Sequence, residues 1–158
     1  MTRISTAAAV AALALAAGTA TTASAQSVLL PDIPFSSVDV AFDSGQIVST
    51  GRTEIAFSDA LMVRDAAWLR LRFDTVDLGV TAEGESAQLK LTSMLDGHVQ
   101  YLDRDSIQKW QNTSAYFNGD GLIVEDIQPA GATPSRVVVA TADAGAPERN
   151  ECDTDLYE

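Results

Sequence analysis

Apolar and polar residues alternate with a period of two along much of the chain between residues 38 and 142, the spacing of strands that bury one face and expose the other. The clearest run is AWLRLRFDTVDLG, residues 67–79. Leu69, Leu71 and Phe73 point one way and Trp68, Arg70 and Arg72 the other, until the period breaks at Asp74. VDVAF at 38–42 sets Val38, Val40 and Phe42 against Asp39 and Ala41, and AQLKLTS at 87–93 sets Leu89 and Leu91 against Lys90. HVQYLD, with Val99 and Tyr101 on one face, LIVEDI at 122–127 and RVVVATA at 136–142 continue the series. MLDGHVQYL reads as two strands joined at Asp96-Gly97, a dipeptide suited to tight turns. Turn-forming residues separate the runs at spacings near those of a sandwich or barrel. The expected fold class is all-β, an antiparallel β-sandwich.

One segment departs from the pattern. DRDSIQKW at 103–110 places Ile107 and Trp110 at helical spacing behind Asp103, a side chain able to cap a first turn. It predicts a single short helix crossing between strands, with Trp110 plugging an end of the sandwich. NTSAYF is then expected to enter the next strand, with Ala115 and Phe117 inward and Tyr116 at a rim, or the reverse. NGDG turns the chain into LIVEDI, with Gly119 and Gly121 free to adopt positive φ.

The stretch WQNTSAYFNGDG, residues 110–121, supports two readings. In the first, Trp110 and one of Tyr116 and Phe117 are core, while Asn112 and Asn118 tie backbone groups in corners. In the second, Trp110, Asn112, Tyr116, Asn118 and Asp120 form a ligand-binding rim, since flat rings stack on sugar faces and amides and carboxylates fix hydroxyls. Asn112-Thr113-Ser114 also fits an N-glycosylation acceptor, an accidental match beside a signal of bacterial type.

That signal is at the start. Arg3 precedes an apolar run from Ala7 to Ala17, too short for a bilayer crossing of roughly 20 residues, and Ala23 and Ala25 suit a signal peptidase. Residues 1–25 are read as a signal peptide, 26–37 as an extended lead-in, 38–142 as the sandwich, and 143–158 as an acidic tail or linker. The chain is expected to be secreted or periplasmic, with no membrane insertion after cleavage. Cleavage removes one Arg and no acid from 10 basic and 22 acidic side chains, leaving a net charge of about −13. Such a charge repels nucleic acid and anionic lipid. The lone Cys152 sits among acids, which disfavour its thiolate.

Catalytic chemistry is sparse. His98 is the only histidine, no G-x-S-x-G elbow presents a serine, and zinc lacks ligands. Two carboxylates could serve a glycosidase, a requirement that 22 acids meet in composition alone. No cofactor is expected. Ca²⁺ has candidate oxygen pairs in Asp74 and Asp77, Asp103 and Asp105, and Asn118 and Asp120, none within an EF-hand loop.

WLRLRFDTVDLG, LKLTSMLDGHVQYLD, WQNTSAYFNGDGLIVED and PSRVVVA together resemble the β-rich segment upstream of trypsin-like serine protease domains in some secreted bacterial proteins. Their order is also similar to jelly-roll accessory domains of proprotein-convertase type, over residues 38–142. The resemblance implies a jelly-roll-like, noncatalytic accessory module, and no protease residue carries over. Two functions are therefore expected: an exported sandwich binding a surface, glycan or protein partner, or the N-terminal accessory domain of a secreted serine endopeptidase whose catalytic part is not in this chain.

Overall fold

The computed structural model describes residues 34–146. The expected signal peptide, the lead-in through residue 33, and the tail from residue 147 with Cys152 lie outside the described residues. Eight strands and one helix follow in order: β1 (Phe35–Asp43), β2 (Glu54–Met62), β3 (Trp68–Asp77), β4 (Gln88–Ser93), β5 (Val99–Leu102), α1 (Arg104–Lys109), β6 (Phe117–Asn118), β7 (Gly121–Gln128) and β8 (Arg136–Gly145).

Two four-stranded antiparallel sheets, ordered β1-β8-β3-β6 and β2-β7-β4-β5, form a β-sandwich. Pairing is nested: β1 with β8, β2 with β7, β3 with β6, and β4 with β5. The chain behaves as one long hairpin, its tip at the Asp96-Gly97 turn, rolled up so that successive rungs fall alternately into the two sheets. That is the strand order of a jelly roll. Gly97 takes φ 72° at the tip, where a side chain would be strained.

The core lies between the sheets. Leu69 and Leu71 from β3, Leu89 and Leu91 from β4, and Leu122 and Val124 from β7 are fully buried. Each such side chain contributes roughly 1.5–3 kcal/mol of transfer free energy. The alternation of β3 holds up to Phe73. There the register shifts, because Phe73 and Thr75 oppose the adjacent Val139 and Val138, leaving Asp74 as the extra residue of a bulge. The break in period at Asp74 is the signature of that bulge.

Several details differ from expectation. Strand β2 belongs to no predicted run. Strands β1 and β8 extend beyond 38–142, to Phe35 and Gly145, which pair with each other. NTSAYF contributes only Phe117 to a strand, and Gly119 alone of the two turn glycines has positive φ; Gly121 already lies in β7. Trp110 plugs nothing. It is 42 % exposed, because α1 ends at Lys109 and left-handed Gln111 and Asn112 swing the chain away, so Ile107 alone of the helical pair is buried.

Candidate functional site: an aromatic and arginine patch on the first sheet

Because Leu69 and Leu71 face the core, Trp68 and Arg70 must face outward on β3. Phe35, Gly145, Trp68 and Asn118 form one row across the first sheet. Gly145 leaves a gap in that row, and the Trp68 indole fills it. Phe35 packs on one side of Trp68, ring centroids 6.3 Å apart and planes tilted by 50°. Tyr116 packs on the other at 5.1 Å, edge to face at 72°. Trp68 is half-buried between them, while Phe35 is 55 % and Tyr116 60 % exposed.

Arg70 completes the patch. Its guanidinium carbon lies 5.1 Å from the Tyr116 ring centroid. Its Nε donates to the Ser114 carbonyl at 3.2 Å, one terminal nitrogen to Thr113 Oγ1 at 2.7 Å, and the other to Tyr116 Oη at 3.3 Å. These bonds fix the fork, and two of its five N–H groups remain free. No carboxylate pairs with Arg70 among the described residues. Neighbouring Arg72 is instead committed, with Nε 2.8 Å and a terminal nitrogen 2.7 Å from the buried carboxylate of Asp143.

The predicted rim residues divide between two places. Tyr116 and Asn118 join the patch, Asn118 donating its amide to Asp96 at 2.8 Å. Asp96 also accepts the His98 backbone N–H, and these bonds, with one from Ser93, hold its carboxyl down to about 2. Asp120 is exposed on the turn, its carbonyl taking the Val63 N–H. Trp110 and Asn112 sit in the corner after α1, where the Asn112 carbonyl accepts from Phe73 N. Thr113 links that corner to the patch, donating to the Trp110 carbonyl while accepting from Arg70. Ser114, of the glycosylation-like triplet, is buried and caps the Leu71 N–H. Phe35, Trp68 and Arg70 were absent from the predicted rim, although a Trp outward with two arginines on one strand face was legible in β3.

The oxygen pairs considered for Ca²⁺ are dispersed. Asp103 accepts the Ser106 N–H at 2.8 Å in a reciprocal capping box, Asp74 accepts from Thr75, and Asn118 is held by Asp96. Among the described residues no group of three His, Cys, Asp or Glu gathers as ligands. His98 is exposed, its ring 5.9 Å from that of Phe117.

One polar cluster lies inside the sandwich. Asp126, fully buried on the inward face of β7, has no partner for either carboxylate oxygen among the described residues. The Gln128 amide donates to Ser135 Oγ at 2.5 Å, and Ser135 Oγ accepts the Gly79 N–H at 2.8 Å. Burial raises the Asp126 pKa, and Gln128 and Ser135 draw it back only in part. No family model, curated protein or solved structure matches this chain, so its reading stands on these residues.

Proposed function

We propose that the protein is a noncatalytic binding module that holds a protein partner through the Phe35, Trp68, Tyr116 and Arg70 patch. One observation carries this reading: a Trp, a Tyr and an Arg, mutually packed and pre-ordered, lie on an open sheet face. These three residue types dominate the energetic centres of protein interfaces. The partner meets the exposed rings with apolar side chains and the two free N–H groups of Arg70 with a carboxylate or backbone carbonyl. A local cation is notable in a chain of net charge −12.

Glycan is the weaker ligand. Trp68 is tilted by 50° to Phe35 and by 72° to Tyr116, so the central ring shares a parallel face with neither neighbour. The accessory-domain reading rests on the resemblance of the strand and corner motifs. Protein and glycan arrays probed with the intact chain and with Tyr116→Ala and Arg70→Gln test the assignment. Binding to protein spots, weakened at least about tenfold in both variants, is the expected result. Hits that survive both substitutions locate the site elsewhere.

A further inference from the structure

The outer face of the second sheet has a composition unlike the rest of the chain. Register pairs share a face, so Ile55, Ile127 and Gln88 form one row, and Ala60, Ile123, Thr92 and Val99 another. Between them run Ser58, Glu125, Lys90 and Tyr101. The central pair is the only charge on these three rows. Lys90 Nζ lies 2.7 Å from Glu125 Oε2, with side-chain exposures of only 24 % and 14 %. The Thr92 hydroxyl beside it is shielded and has no partner among the described residues. Ile55 and Tyr101 stay at least half exposed.

A chain with 22 acidic and 10 basic side chains thus presents three rows of one sheet face that carry no net charge, with Asp103 and Glu85 bordering their Gln88 end. The pair also sits at the centre: Glu125 is on β7 and Lys90 on β4, the two inner strands. We propose that this face is the contact between two copies of the chain, packed sheet on sheet about a two-fold axis parallel to the strands between β7 and β4. That axis sets Lys90 over the partner's Glu125 and Glu125 over the partner's Lys90. It also sets Ala60 of β2 over Val99 of the second copy's β5, and Ser58 over its Tyr101. Self-complementarity of this kind is what an isologous contact requires. A cationic or anionic partner finds no unpaired charge on these rows to grip. Four strands about 4.8 Å apart and at most about 20 Å long offer no more than roughly 400 Å² per copy, about half the per-partner area of a standard specific interface, so the contact is a weak, concentration-dependent one. The rest of each body repels the other, so added salt strengthens the dimer.

Sedimentation of the intact chain, with a reductant present so that Cys152 cannot link copies, tests the contact at about 50 and about 500 mM NaCl, where the screening length differs about threefold. A concentration-dependent dimer, tighter at high salt, is expected. Lys90→Glu and Glu125→Lys each weaken it at least about tenfold, and mixing the two variants restores a heterodimer because each reversed charge then meets its opposite across the axis. Tyr101→Glu, at an exposed position, weakens the dimer while leaving the melting midpoint in place, and covers the case in which a charge reversal fails to fold. Tyr116→Ala leaves the dimer intact. A wild-type monomer at every salt and concentration overturns the proposal, as does a dimer that withstands the folded face variants.

Discussion

The Trp68 indole occupies the space that a side chain on Gly145 would need, with Trp68 Nε1 where the Cβ would stand. A single glycine at the end of β8 therefore sets the height and tilt of the central ring of the patch, and through it the edge-to-face contact with Tyr116.

Gly145→Ala is accordingly expected to lift the indole off the sheet. The cost in stability is about 1–3 kcal/mol, as for other overpacked sites, and Trp68 emission shifts toward that of a solvated ring. An unchanged emission spectrum with unchanged melting contradicts this account of the glycine.

Arg72 and Asp143 make a second test. Asp143 is nearly enclosed, with a side-chain exposure of 4 %, and the Arg72 fork is its side-chain partner. Arg72→Met strands that carboxylate and is expected to cost on the order of 2 kcal/mol, less than a fully enclosed pair because Arg72 is itself half in solvent. Adding Asp143→Leu recovers most of the loss. Denaturant titration of the single and double variants reads the coupling; additive losses contradict it.

Asp126 sets the response to alkali. Its folded pKa is raised by burial, so folding takes up a proton between the unfolded and folded values. Stability contributed by the neutral acid is complete below the unfolded carboxylate range and declines as pH rises through the folded value. The slope approaches about 1.4 kcal/mol per pH unit inside that window. Asp126→Asn removes the titration and flattens this limb of a stability profile measured between about pH 4 and pH 9. Identical slopes in the two proteins contradict a raised value.

The oxygen pairs considered for calcium are dispersed, and Asp74, Asp103 and Asn118 are already engaged by Thr75, Ser106 and Asp96. A ligand that binds only the folded chain raises its melting midpoint. Melting curves recorded with millimolar Ca²⁺ and with chelator are expected to superimpose, and a higher midpoint with Ca²⁺ would reinstate a site.

Period two made β3 and β4 legible, because each has one face in the core and polar residues between. Strands β7 and β8 were legible instead as β-branched runs between turns, with Ile123, Ile127 and Val138 on their outer faces. Period two failed for β2. There Ile55 and Met62 face outward, a bulge between Ile55 and Phe57 breaks the count, and Asp59 opposes inward-facing Val124. The helix was legible from its cap and from Ile107; the left-handed Gln111 and Asn112 that carry Trp110 out to solvent were not. The patch was half legible. Tyr116 and Asn118 were singled out by local composition, whereas their contacts with Trp68 and Arg70 span more than 40 residues and depend on which strands become neighbours. Asp126 was hidden for a different reason. In LIVEDI it alternates correctly, and an acid at an inward position is read as a neighbour's outward residue until the register is known.

The pairing of Phe35 with Gly145 makes the first and last strands hydrogen-bonded neighbours. The domain can therefore be re-cut without loss of any rung: a short peptide joining these ends, with new termini opened in the exposed Ala130–Gly131 turn, gives a circular permutant that keeps both sheets. Geometry of that kind also lets the whole roll be spliced as a cassette into a loop of another protein, with entry and exit a single strand spacing apart.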